Sequence, residues 1–320
     1  MSTSVLLTGA YGNIGFNCAK SLLKAGHRLT TLDLENPINT ARAAELGDGV
    51  KVLWGDITDE SFVQRALENI DVVIHLAAIF PPLSENNKEL AQRVNVEATD
   101  TLIRLMEASE SAKRLIFASS MAIYGDQQQT RTPPLTTSGE YDPHNNYAVT
   151  KVANEKSIKS STLGWSILRI SACPPININA DGDTSVLFKI SAKARIEYIH
   201  PSDAGLAFAN AAACDEAIGK ILLIGGGKSC QVTGLEFVTS MLTAMGVGAL
   251  PAEALNPEPT FDGDWLDTEE SQRLLNFQRN NLEDMTAELR REAGWRYWLV
   301  RLMAPLVRKK MLSHSPYLNS

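Results

Sequence analysis

The sequence has no paired cysteine motif: its four cysteines, Cys18, Cys173, Cys214 and Cys230, are scattered without a CxxC. That spacing excludes a zinc ribbon and a disulfide framework, and reads as small buried hydrophobes in a reducing compartment. The five histidines show no ligand spacing either, so no metal is expected. Basic residues are not in excess, since 30 Lys and Arg face 37 Asp and Glu for a net charge of −7. A general nucleic-acid or anionic-membrane binder is therefore not expected, because no face is forced to be basic. No apolar run approaches the roughly 18 residues that span a bilayer, so no integral membrane span is expected. Strand-like sequence begins by Val5, so no signal peptide is expected. A cytoplasmic protein is the simplest expectation.

What is present is alternation. Short apolar runs at 4–8, 29–32, 50–54, 72–76, 115–118 and 166–170 are separated by amphipathic segments at 14–25, 61–68, 88–109 and 147–162. Strands that are apolar on both faces belong to a parallel sheet covered by helices. The pattern predicts a doubly wound α/β fold with right-handed crossovers. After Ile170 it loosens. Cys173-Pro174-Pro175 stops the sixth strand, and 177–185 reads as a polar loop. Runs at 196–199 and 221–224 predict further strands around an Ala-rich helix at 203–214, and a Pro-rich connector at 250–259 leads to a helical tail over 297–311. The expected division is a first domain over 1–172, with segments near 196–227 contributing, and a smaller, mixed substrate domain from 173–195 and 228–320.

The stretch "LTGAYGNIG" sets Gly9, Gly12 and Gly15 three apart between the first strand and the first helix. Such a turn lets the backbone approach a pyrophosphate at the helix N-terminus, where unpaired amides and the helix dipole favour negative charge. This is the dinucleotide-binding arrangement of a Rossmann sheet, with GxxGxxG in place of GxGxxG. Gly9 and Gly12 are read as clearing the approach path, and Gly15 as letting the helix pack closely on the sheet. Asp33, some 20 residues on, can accept from both ribose hydroxyls and would repel a 2′-phosphate. Leu34-Glu35-Asn36 supplies no arginine to neutralise one, so NAD is expected over NADP. Asp56, in "WGDITDE", is a candidate for the adenine edge, and capping at Thr58 or Asp59 accounts for part of that polar cluster.

In "NNYAVTK", Tyr147 and Lys151 stand four apart on one helix face. A phenol is a poor base at neutral pH, and a neighbouring ammonium moves its pKa toward the working range. Ser119 and Ser120, in "FASSMAIYG", close the fifth strand and are expected to face the ligand crevice. His75 reads as a satisfied core histidine, and His200 as organising a turn with Asp203, which would cap the Ala-rich helix.

"TGAYGNIG", "SSMAIYGD" and "YAVTK", in that order, resemble the extended short-chain dehydrogenase/reductase family, which holds NAD-dependent epimerases and dehydratases. "HLAAIF", "VNVEAT", "ARIEYIHPSDAG" and "GDWLDTEESQRLLNFQ" extend the likeness from about Val5 to Phe277. The resemblance implies Tyr147 as acid/base, Lys151 as the group that lowers its pKa and holds the nicotinamide ribose, Ser120 on the substrate hydroxyl and Asn95 as a supporting residue. It places the cofactor on Gly9, Tyr11, Gly12, Asn13, Ile14, Gly15, Asp33, Asp56, Ile57, Leu76, Ala77, Ala78, Ser119, Tyr147 and Lys151. The implied reaction is hydride transfer at a secondary alcohol or ketone carbon of a small polar or sugar-like molecule. A nucleotide-sugar epimerase or dehydratase with tightly held NAD is the alternative, and a non-catalytic NAD-binding redox sensor is a third reading. A helix-mediated homodimer would suit the family.

Two departures favour the smaller substrate. Only 173–195 separates the sixth strand from "IEYIH", which is short beside the long insertion that the resemblance implies for nucleotide-sugar members. The slot where such members carry a diphosphate-gripping arginine holds Ile196, with Arg195 displaced by one. A one-residue shift in a strand turns the side chain to the other face, whereas a bulge at Ala194–Ile196 would restore the geometry. The resemblance assigns no role to the tail "WRYWLVRLMAPLVRKKML". Its apolar residues are expected to pack on the small domain or at a dimer contact, with a membrane-surface helix as the rival account.

Overall fold

The computed structural model describes residues 2–176, 185–258 and 261–318. Its centre is a seven-stranded parallel sheet in the order β3-β2-β1-β4-β5-β6-β8. The strands are β1 (Ser4–Thr8), β2 (Arg28–Asp33), β3 (Val50–Trp54), β4 (Val72–His75), β5 (Arg114–Ser120), β6 (Gly164–Ile170) and β8 (Lys220–Ile224). β7 (Arg195–Glu197) and β9 (Gln231–Thr233) form a separate antiparallel pair. Strand order reverses between β1 and β4, which opens a crevice at their carboxyl ends.

Successive strand side chains point to opposite faces, and both faces here are dry. Val5 and Leu7 pack under helix Asn13–Lys24 and helix Pro201–Ala211, with Cys18, Leu22, Ala204 and Phe208. Leu6 points the other way, with Val73, Leu115, Leu102 and Ile158. The near-continuous apolar runs follow from that double burial. A smaller body of helices covers β7 and β9, where Ile196, Tyr198, Phe237, Met285 and Leu289 share one core.

Several local expectations change. The 88–109 helix is interrupted by a π-helical turn at Gln92–Glu97, a distortion frequent at functional sites. β3 ends at Trp54, two residues before Asp56, and β7 is shorter than 196–199. The tail is two helices, Trp295–Leu302 and Ala304–Leu312, because Pro305 cannot donate a helical hydrogen bond. His200 itself caps helix Pro201–Ala211, accepting from the Ser202 amide. Asp203, expected as that cap, instead accepts from the Arg279 and Asn280 amides at 2.8 Å each. Of the expected loop at 177–185, residues 177–184 lie outside the described residues.

Candidate active site

The glycine turn crosses the carboxyl end of β1. Gly9 has a positive φ of 65° and sits against β4's exit, where an added Cβ would lie 2.7 Å from the Ala77 nitrogen. A Cβ on Gly15 would lie 2.1 Å from the Gly9 carbonyl oxygen. These two glycines therefore make room for the chain's own backbone, and Gly15 serves the turn more than helix–sheet packing. Only Gly12 clears space on the open side, since a Cβ there meets nothing nearer than the Gly9 oxygen at 3.4 Å. Gly12 precedes helix Asn13–Lys24, whose N-terminus has no side-chain cap. Its first-turn amides, with the dipole behind them, favour negative charge at this end. The Asn13 side chain turns to the Cys173 carbonyl oxygen, 3.1 Å away.

Asp33 stands at the end of β2. Its Oδ2 accepts from the Tyr11 amide at 2.9 Å and its Oδ1 from the Leu34 amide at 2.8 Å. Burial raises its pKa, opposed by those two amides and by Arg42. Arg42 donates to the Tyr11 carbonyl oxygen, so helix Pro37–Leu46 does return a cation to this corner. The absence of arginine from 34–36 gave no warning of it. Tyr11 is buried, its hydroxyl 2.7 Å from Thr31 Oγ1 and its ring on Trp54. Leu76, Ala77 and Ala78 leave β4 half-buried beside the turn. Asp56 is exposed and accepts from the Thr58 amide, while the Ile57 side chain joins the core.

The second cluster lies beyond β5. Asn145 caps helix Asn146–Ser160, accepting from the Ala148 amide at 2.8 Å. Glu85 accepts from the Asn146 and Tyr147 amides at 2.9 and 3.1 Å, favourable to the helix dipole. Tyr147 and Lys151 then share one face, with the ammonium 5.6 Å from the Tyr147 ring centroid and 4.6 Å from that of Phe117. Burial pushes the Tyr147 phenol up to about 12, against the downward pull of its hydrogen bond with Ser120. Burial also pushes Lys151 down to about 7, with Glu155 opposing. Desolvation thus governs both groups, where the sequence reading had the lysine charge lowering the phenol.

Ser119 departs from its expected place. Adjacent strand residues face opposite ways, and Ser119 is buried, donating to Glu155 Oε1 at 2.6 Å. Ser120 alone faces Tyr147. Asn95, on the π-helical turn, accepts from the Ile79 amide at 2.7 Å and donates to the Ile79 carbonyl oxygen and to Thr150 Oγ1. It ties the segment after β4 to the helix that carries Tyr147. His75 lies between Thr8 and Thr99, and burial, then the Lys151 charge, lowers it to about 3. It is a neutral core histidine, as expected.

Residues 5–174 match the model of the NAD-dependent epimerase/dehydratase family. The chain belongs to that family. The resemblance to extended short-chain dehydrogenases therefore holds. D-erythronate dehydrogenase of Cupriavidus necator is 29% identical over 191 residues, covering 55% of this chain and 56% of that protein. UDP-glucose 4-epimerase 4 of Oryza sativa subsp. japonica is 32% identical over 194 residues, 57% and 52% of the two chains. The chain thus spans about half the length of the curated relatives it matches. UDP-glucuronic acid 4-epimerase from Bacillus cereus, solved with UDP-glucuronic acid and NAD, has the same fold at a TM-score of 0.76. It is 20% identical, with 92% of this chain and 100% of that one covered.

The region after β6 holds Arg195 and Ile196 in β7. Arg195 is held by an acid: Nε and Nη2 bind the two oxygens of the buried Asp264 at 2.8 and 2.6 Å, and Nη2 also reaches the Gln128 carbonyl oxygen. Ile196 is buried in the small core. Sequence reasoning also missed the support beneath the lysine. Glu155, one turn after Lys151, accepts from Arg169 Nε and Nη2, Ser119 and Tyr141. The i, i+4 spacing could have signalled Glu155; the Arg169 partner comes from β6 and could not be read.

Proposed function

We propose that the chain binds NAD at the carboxyl edge of β1, β2 and β4, and is an oxidoreductase acting at a secondary alcohol or ketone carbon. The observation that carries this reading is the convergence of Ser120, Tyr147 and Lys151 beside the switch point of the sheet. The residues present fit the cofactor. Gly12 and the uncapped amides around Asn13 and Ile14 suit a pyrophosphate, and Asp33 suits ribose hydroxyls. Leu76 and Ala77, packed against Gly9, and Ala78 after them, would flank the cofactor on the β4 side. NAD bound there supplies the two-electron acceptor or donor for the hydride.

The chain handles the proton. Tyr147 as its phenolate takes the substrate hydroxyl proton on oxidation, and as the phenol gives it back on reduction, a role worth about 10²–10⁴ in rate. Lys151, when protonated, stabilises the phenolate; Ser120 holds the substrate hydroxyl. Asn95 is a positioning residue that acts through Ile79 and Thr150.

A small hydroxylated molecule is the substrate class. The engagement of Arg195 with Asp264 supports it, as does the relative named for D-erythronate. The relative named for UDP-glucose supports the epimerase alternative. Four unpaired cysteines suit a cytoplasmic setting, and a homodimer suits the family. Mass spectrometry of molecules released on denaturation, followed by titration with NADH and NADPH, tests the reading. NADH bound more tightly than NADPH supports it, and release of NAD with a nucleotide-sugar moves it to the alternative. Binding of neither dinucleotide rejects it.

A further inference from the structure

The two tail helices dock through one face and leave the other bare. Val300, Val307 and Met311 enter the core around Val238 and Leu242. Trp295, Trp298, Leu299, Leu302, Met303 and Leu306 recur at helical spacing on the outside. Trp295 is 70% exposed, Trp298 61%, Leu302 81% and Leu306 66%. The stripe runs through the break between the helices, because the Met303 amide bonds Leu299 and the Val307 amide bonds Met303. Singly exposed apolar residues are ordinary, but a continuous stripe marks a contact surface.

The charge around this stripe identifies its counterpart. Residues 295–312 hold five cations, Arg296, Arg301, Arg308, Lys309 and Lys310, and no acid, so the remainder of this −7 chain carries −12. The guanidiniums of Arg290 and Arg301 lie 5.8 and 5.9 Å from the Trp298 ring centroid, on the rim of the stripe. The acidity of the whole chain conceals a cationic, aromatic surface at one place.

We propose that this face binds an anionic lipid surface. The helices lie in the headgroup plane with the Trp and Leu side chains inserted and the cations over lipid phosphates. No helix among the described residues is long and apolar enough to cross a membrane, so the association is peripheral. Two-fold pairing of the face with a second copy would oppose five cations to five, which disfavours that occupant.

The test uses the full chain with vesicles of phosphatidylcholine alone and of phosphatidylcholine mixed equally with phosphatidylglycerol. Binding to the anionic vesicles with a blue shift of tryptophan emission is expected, weakening about tenfold or more from low to high salt. The double variant Leu302→Glu/Leu306→Glu alters exposed positions only, so it should keep the wild-type melting temperature and lose vesicle binding. The proposal is overturned by absence of binding to anionic vesicles at low salt, or by equal binding of the double variant. It is also overturned if light scattering finds a dimer that the double variant dissociates.

Discussion

Replacing Lys151 with methionine is expected to stabilise the fold while removing activity. The ammonium is buried between Phe117 and Tyr147, and burial brings its pKa from the usual 10.5 to about 7. That difference corresponds to on the order of 5 kcal/mol at 1.36 kcal/mol per pKa unit. The sign follows from the direction. A cation whose folded pKa is lowered costs stability once the unfolded chain is protonated. The cost therefore grows as pH falls from about 10.5 to about 7, and is constant below. Methionine keeps the unbranched shape without the charge, and Glu155 keeps Arg169, Ser119 and Tyr141 as partners. Urea unfolding of both proteins between pH 6 and 10 reads the gap directly. The variant should be more stable by several kcal/mol at pH 6–7, and the two should converge toward pH 10. A variant no more stable at pH 7, or a gap that does not change with pH, would refute the reasoning.

Other substitutions separate folding from binding. Gly12→Ala should change stability by less than about 1 kcal/mol, because its Cβ meets only the Gly9 carbonyl oxygen, at 3.4 Å, yet weaken NADH binding tenfold or more. Gly15→Ala should lose about 3 kcal/mol in denaturant unfolding, because its Cβ overlaps the Gly9 carbonyl. Equal losses of stability in the two variants would contradict this division of roles. Asp33→Ala should lower NADH affinity and narrow the preference over NADPH, with Arg42 left nearby; an unchanged ratio in fluorescence titrations would remove Asp33 from the ribose site. Glu155→Gln should cost about 3–5 kcal/mol by leaving the buried Arg169 guanidinium without its counter-charge.

The sheet was legible because a strand buried on both faces leaves an unbroken apolar run, as in β1 with Val5 and Leu7 on one side and Leu6 on the other. The glycine turn, Asp33 and the Tyr147–Lys151 pair were legible because each depends on short spacing between neighbouring elements. What escaped depends on distant chain segments. Arg42 reaches Tyr11 only because its helix folds back over the turn, and Asp203 is claimed by the Arg279–Asn280 backbone, more than seventy residues away. Arg195 could be read as misplaced for a diphosphate, but its partner Asp264 could not be read. Ser119 is a different case, since strand alternation alone says that it and Ser120 face opposite ways.

The central claim is that Tyr147 moves the proton while hydride moves to or from NAD. A panel of small hydroxy acids, polyols and sugars, screened by NADH absorbance with wild type and Tyr147→Phe, tests it most directly. The account predicts unchanged NADH affinity and turnover lower by about 10²–10⁴ in the variant. Turnover by Tyr147→Phe close to that of the wild type would contradict it.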